Sequence, residues 1–280
     1  MKSLLSPTLL LSLTFLLSNC GDSPKPEPQQ DSDPEARTSI EMVTDRGTMV
    51  LELYNETPKH RDNFISLTNE GAFDSLLFHR VIENFMVQSG DPDSKNAEPG
   101  KALGNGDRDY LVDAEMDTSL FHKKGVLAAA RDGNPGRGSS AMQFYITQGK
   151  VFNDSLLEQS EKRINGWLAE HYVKQMPEHA ALGDSIFAAE QAEDWDAYEI
   201  WGDSIKSIAL QHDFEQYTFP DHHREMYKTV GGTPHLDQSY TIFGEVISGI
   251  SVVDSIAAVA TDSLDRPMID VRVVSVRVLD

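Results

Sequence analysis

A mainly β fold, a closed β-barrel carrying an inserted α-helical subdomain, is what this sequence predicts. Short apolar runs punctuated by Gly and Pro occupy residues 40–147 and return from Tyr240 to the end, with little helical spacing among them. Between about Lys150 and Val230 the apolar spacing changes to three and four, and all three Trp residues lie there. With 280 residues and 39% hydrophobic content, the chain has enough apolar surface for one substantial core.

The first element is a hairpin. Ile40, Met42 and Thr44 alternate, Asp45-Arg46-Gly47 turns, and Met49, Leu51 and Leu53 alternate again. Thr57-Pro58 then offers an N-cap and a first-turn proline, and Phe64, Leu67 and the stop at Gly71 mark a helix of about three turns. In the last strand, Val271 to Leu279, the alternation slips at Val273-Val274, which predicts a bulge. In the inserted region, Tyr198, Trp201, Ile205 and Ile208 share one helical face. So do Ile164, Trp167 or Leu168, and His171 or Tyr172. Three Trp with several Tyr and Phe predict that these helices pack on one another or on the barrel.

The N-terminus reads as an export signal: Lys2, then an apolar run from Leu4 to Leu17 that is short for a bilayer span. Leu17-Ser18-Asn19-Cys20 resembles a bacterial lipobox, with Asn19 where a smaller residue is usual. Residues 1–19 are therefore expected to be a lipoprotein signal peptide, and Cys20, the only cysteine, the lipidated first residue of the mature chain. Residues 20–37, rich in Pro, Asp, Glu and Gln, read as a disordered tether that holds the folded part off a membrane. The expected location is the bacterial cell envelope, facing the periplasm or exterior. A formal net charge of −21 argues against nucleic acid as a partner.

The chemistry is carried by Phe78-His79-Arg80-Val81-Ile82-Glu83-Asn84-Phe85-Met86-Val87-Gln88-Ser89-Gly90-Asp91-Pro92. Three further blocks accompany it in order: Gly125 to Arg131, Gln143-Phe144-Tyr145-Ile146, and His235-Leu236-Asp237 leading to Phe243-Gly244-Glu245-Val246. Together they resemble the cyclophilin-type peptidyl-prolyl cis-trans isomerases over residues 38–149 and 231–280, leaving 150–230 as an insertion. The resemblance implies an eight-stranded antiparallel β-barrel capped by two helices, no cofactor and no metal, proline-containing polypeptides as partners, and a monomer. It also implies site residues. Arg80, Phe85 and Gln88 would be catalytic, with Gln88 orienting Arg80. Met86, Ala130, Arg131, Gln143, Tyr145, His235, Leu236 and Tyr240 would bind substrate.

Physically, the family's reaction moves no proton. Rotation about a peptide bond faces about 18–20 kcal/mol because the nitrogen lone pair is delocalised into the carbonyl. In the twisted state that lone pair is localised and accepts a hydrogen bond, which a permanently charged guanidinium can donate. His79 is accordingly read as structural. Two positions depart from the family pattern. His235 stands where many members have Trp, which should weaken cyclosporin binding, and Ala141-Met142 replaces a common Gly-Ser and puts a Cβ where Gly is favoured.

Other signals carry less. Gly183-Asp184-Ser185 and Gly202-Asp203-Ser204 resemble a short lipase motif but sit in helical pattern, where Asp and Ser read as caps. Asp221-His222-His223 with Glu225 reads as a solvated loop rather than a metal site. The glycines of residues 133–138 read as a turn beside the groove. Two functions compete: an isomerase for exported proteins, and a module that holds proline-containing segments without turnover. The insertion leaves directly after the Gln143–Thr147 strand and is expected to shape or partly cover the site.

Overall fold

The alternation of residues 40–53 becomes two strands, β1 (Ser39–Thr44) and β2 (Gly47–Leu53), joined across Asp45 and Arg46. The computed structural model describes residues 36–279 apart from 135 and 213. The expected signal peptide, Cys20 and nearly all of the tether lie outside those residues. After β2 come α1 (Pro58–Asn69), β3 (Arg80–Ile82), β4 (Met86–Ser89), β5 (Leu111–Val112), β6 (Val126–Ala129), β7 (Ser139–Ser140) and β8 (Phe144–Thr147). Four helices follow, α2 (Asp154–Lys174), α3 (Ala180–Gln191), α4 (Trp195–Gln211) and α5 (Asp221–Thr229). The chain ends with β9 (Ile242–Ser248), α6 (Ile250–Ala257) and β10 (Val273–Val278).

Eight strands form one antiparallel sheet in the order β10-β1-β2-β9-β6-β8-β4-β3, while β5 and β7 pair separately. The sheet is curled but open, which corrects the expected closed barrel. Its edges, β10 and β3, share no ladder. The chain before β3 is tied to β10 and the residues preceding it by an isolated bridge, Leu77 to Arg272, with Phe78 N–H to Val271 O at 2.9 Å and Val273 N–H to Leu76 O at 2.8 Å, and by the Asp74 carboxylate, which accepts from Val276 N–H at 3.0 Å. The reason is local: β3 has three residues, and the chain before it turns through Gly71 and Ser75, both at positive φ. In β10 the predicted bulge is present. Thr44 faces Val273 and Val43 faces Ser275, leaving Val274 unpaired and exposed.

Period-2 alternation sorts the strands into two faces. Met49, Leu51, Val81, Val87, Leu127, Phe144, Ile146 and Phe243 enter the main core, which α1 closes with Phe64 and Leu67 and α6 with Val252, Val253 and Ile256. Met86, Val126, Ala128, Tyr145 and Ile242 face the other way. Helix α1 starts at Pro58 as predicted, but Thr57 makes no side-chain cap. The cap comes from far away in sequence. The Glu115 carboxylate accepts the N–H groups of Lys59 and His60, each at 3.0 Å, where the helix dipole favours negative charge.

The helical spacing between 150 and 230 produces α2 and α4 where it predicts them. Ala169, Val173, Ile186, Ile205 and Ala209 pack as one apolar cluster. Residues Arg37–Asp280 form a single compact unit, so these helices are not set apart from the sheet. Trp195 stays 61% exposed, with its ring edge-on to Tyr198, which packs against that cluster. Two local readings are corrected. Ser185 and Ser204 are not caps: each lies inside a helix and donates its hydroxyl to the carbonyl four residues back. Residues 221–229 form a helix rather than a solvated loop, with His223 fully buried and stacked on Phe121 at 3.8 Å.

Candidate active site

The hairpin of β3 and β4 sets the site. Arg80 lies opposite Gln88, and Ile82 opposite Met86, so one face of the hairpin presents all four. Asn84, in the left-handed conformation, makes the turn between them, and the Phe85 N–H bonds back to Ile82 O. Just past β4, Gly90 has φ +106°, and a Cβ there would meet Met142 O at 2.1 Å. Only Gly lets the β4 end approach the Met142-Gln143 backbone that leads into β8 and Tyr145.

A groove of about 310 Å³ opens on this face. Arg80, Phe85, Met86, Gln88, Ala130, Arg131, Tyr145, Leu236 and Tyr240 line it, so nine of the eleven residues singled out for catalysis or substrate binding converge there. The two others stand behind the wall. Gln143 is buried, accepts from Gln88 Nε2 at 3.0 Å and donates to the carbonyls of Gly104 and Gly106. His235 stacks on Phe85, with ring centroids 5.5 Å apart.

Arg80 stands at the rim with its side chain 44% exposed. Its ion-pair partner is Asp265, 3.4 Å from Nε. Gln88 thus directs its amide to Gln143, and the group that meets Arg80 is a carboxylate sequence spacing gave no reason to choose. Arg131 is fastened to the loop before β9 by bonds to Ser239 O at 2.7 Å and Ser239 Oγ at 3.1 Å, and lies over the Tyr240 ring. Ala141 and Met142 keep negative φ, and their N–H groups are held by the two oxygens of Asp107, so the extra Cβ atoms bring no backbone strain. Leu103, Gly104, Asn105 and Leu264 complete the groove and went unread in the sequence.

Beneath the groove runs a buried polar chain. His122 Nδ1 and the His122 backbone N–H both donate to Asp237 Oδ1 at 2.8 Å, and Tyr227 Oη donates to Asp237 Oδ2 at 2.7 Å. His122 Nε2 lies 2.9 Å from Tyr145 Oη. Burial, with Tyr240 and Asp237 nearby, raises the Tyr145 phenol well above its ordinary range, so its hydroxyl stays protonated in this chain and its ring faces the groove. No group of three or more His, Cys, Asp or Glu suited to a metal occurs among the described residues.

His79 also borders the groove. Both ring nitrogens are buried without a hydrogen-bond partner, and burial lowers its pKa to about 4. An unfolded histidine titrates near 6.5, so between those values the unfolded chain binds a proton that the folded one refuses. Stability must therefore fall as pH drops through this window. Urea unfolding is expected to show a loss of about 2 kcal/mol from this group between pH 7 and pH 5. His79→Leu should flatten that part of the profile; an unchanged slope would place the proton elsewhere.

Residues 39–173 and 222–278 match the family described as "Cyclophilin type peptidyl-prolyl cis-trans isomerase/CLD". The chain belongs to this cyclophilin-type isomerase family. A putative peptidyl-prolyl cis-trans isomerase of Staphylococcus epidermidis is 27% identical over 240 residues, 85% of this chain and 90% of that protein. A putative bifunctional phosphatase/peptidyl-prolyl cis-trans isomerase of Streptococcus pyogenes is 27% identical over 256 residues. That match takes in 90% of this chain but spans only 41% of the relative. The crystal structure of a Cryptosporidium parvum cyclophilin-type isomerase aligns with TM-score 0.52 and 17% identity over 87% of this chain and 98% of that one. The cyclophilin match leaves out 174–221, a narrower gap than the 150–230 insertion read from the sequence.

Proposed function

We propose that this cyclophilin-type isomerase accelerates Xaa-Pro rotation in exported polypeptides, with Arg80 donating to the amide nitrogen as it twists. The observation that carries the reading is Arg80 at the rim of a groove in which Phe85, Met86, Tyr145 and Leu236 supply an apolar floor. The proline ring fits that apolar floor and is held still while the preceding carbonyl turns. Ala130, Arg131 and Tyr240 flank the peptide, Gln88 reaches it from beside Arg80, and Gln143 and His235 hold Gln88 and Phe85 in place. A charge-assisted hydrogen bond contributes about 1.5–3 kcal/mol, and each tenfold in rate takes about 1.36 kcal/mol. Arg80 alone thus supplies one or two powers of ten. Bound peptide excludes water from the groove and strengthens the same bond further.

A protease-coupled assay on a short Xaa-Pro peptide tests the reading. Cis-to-trans conversion faster than the uncatalysed tens to hundreds of seconds is expected; no acceleration by folded protein would overturn it.

The proposed setting is the cell envelope, with Cys20 lipidated, residues 20–37 as the tether, and the helices within 150–230 acting as a subdomain beside the groove. The signal-like run up to Leu17 and the lipobox-like Leu17-Ser18-Asn19-Cys20 support it. Expressed in a bacterium, the protein should sediment with membranes and Cys20→Ser should release it. A Cys20→Ser protein that still sediments would refute the anchor.

A further inference from the structure

Next to the groove lies a second cavity of about 260 Å³, and Arg131 and Tyr240 form part of both walls. Its far side is α2, which contributes Trp167, His171 and Lys174, and its rim carries Arg137. This is a concentration of cations in a chain with 24 Lys and Arg against 45 Asp and Glu.

The carboxylates nearby are already engaged. Glu170 pairs with Lys174. Asp132 accepts from the backbone and side chain of Asn134. Asp237 is buried and takes its bonds from His122 and Tyr227. Among the described residues, neither Arg131 nor Arg137 has a carboxylate within ion-pair distance, and Arg137 makes one side-chain hydrogen bond, to Gln238 O at 2.9 Å. Arg137 is partly buried and sits close enough to Arg131 for burial first, and that charge second, to lower its pKa. His171 is likewise lowered by burial and then by Arg137, Arg131 and Lys174. Arg131 spends donors on Ser239 O, Ser239 Oγ and the Asp132 carbonyl, but Arg137 has most of its donors unused. Two guanidiniums without a carboxylate partner, the freer one at the rim, beside Trp167 and Tyr240, are matched by one ligand chemistry: a carboxylate, which accepts from a guanidinium in a two-point fork.

We propose that this cavity is a specificity pocket that takes an Asp or Glu side chain of the polypeptide whose prolyl bond occupies the groove. The proposal rests on the groove being the prolyl site. The shared Arg131 and Tyr240 wall makes the two sites continuous. An extended chain advances about 3.3 Å per residue, so a side chain within a few residues of the proline reaches the pocket. The pocket also gives α2 a direct part in substrate choice. It supplies a local attraction that opposes the repulsion a net charge of −21 exerts on acidic segments.

The test uses the full chain and a set of otherwise neutral Ala-Pro peptides in which Glu or Gln is placed at each of the four positions on either side of the Ala-Pro pair. Both calorimetric Kd and protease-coupled kcat/KM are read. At one or two adjacent positions the Glu peptide is expected to bind about tenfold tighter than its Gln partner, with kcat/KM higher in the same ratio. Arg137→Gln should bring that ratio to near one while leaving the neutral peptide unchanged, and Arg137→Lys should restore part of it. Lys174→Gln, which leaves Glu170 facing the pocket without its partner, should also lower the ratio and decides the matter if Arg137→Gln does not fold. A Glu-to-Gln ratio near one at every position overturns the pocket, as does a preference that survives both substitutions. Loss of turnover on the neutral peptide would count against the prolyl reading instead, and the calorimetric ratio still decides the pocket.

Discussion

Replacing Arg80 with Ala is expected to lower kcat/KM on an Xaa-Pro peptide by about two powers of ten, roughly 2.7 kcal/mol of transition-state stabilisation. The size follows from where the bond is made. With the groove open, Arg80 is 44% exposed and its pairing with Asp265 at 3.4 Å is a surface ion pair, worth at most about 1 kcal/mol. In the proposed mechanism a bound peptide covers the apolar floor and the guanidinium faces a nitrogen whose lone pair localises only as the amide twists, so the bond would favour the transition state over either ground state. Arg80→Lys keeps the charge but loses the planar fork, and should recover less than half of the loss in free-energy terms. Asp265→Asn, which removes only the screened pair, should change the rate by less than about fivefold. Neutral peptides in the protease-coupled assay measure all three. An Arg80→Ala protein within threefold of the parent would mean that the apolar groove, not the guanidinium, carries the acceleration.

How far the sequence could be read depended on how local the cause was. The β1–β2 hairpin, the bulge at Val274 and the faces of α2 and α4 follow from alternation or from spacing within a few residues, and all were legible. The grouping of Arg80, Met86 and Gln88 was legible through the cyclophilin resemblance and not from spacing, although its structural cause is local: a tight hairpin at Asn84 places them on one face. What escaped were groups whose partners lie far along the chain. Glu115 caps α1 from 55 residues away, Asp237 reaches His122 across 115, and Asp265 meets Arg80 from the loop between α6 and β10. Neither residue type nor spacing distinguishes these carboxylates from others in a chain with 45 of them. The open sheet escaped similarly. Closure depends on whether two edges find a common register, and the turns before β3 prevent it although each strand pattern is sound.

The largest loss of stability from a single substitution is expected at Asp237→Ala, about 3–5 kcal/mol in urea unfolding at pH 7. The Asp237 and His122 side chains are 0% exposed, and the carboxylate receives three hydrogen bonds, two from His122 and one from Tyr227. Truncation leaves the imidazole N–H, the His122 backbone N–H and a buried phenol without their acceptor, and that desolvation cost exceeds the worth of the bonds themselves. Tyr227→Phe removes one donor and leaves two, so it should cost only about 1–2 kcal/mol. The same chain ends at Tyr145 in the groove wall, so Asp237→Ala should also lower kcat/KM at temperatures where the protein remains folded, through loss of the position of the ring rather than of any group that touches the amide. A cost below about 1 kcal/mol would show that His122 and Tyr227 find other partners. Tyr227 belongs to α5, at the far end of the inserted helices, and packs with Phe152 and Phe219. Excising 152–228 to ask what the helices do would therefore also take the Tyr227 donor from Asp237. A loss of activity after that deletion would report on the support of Tyr145 as much as on the helices, whereas Arg137 and Lys174 can be changed without touching this network.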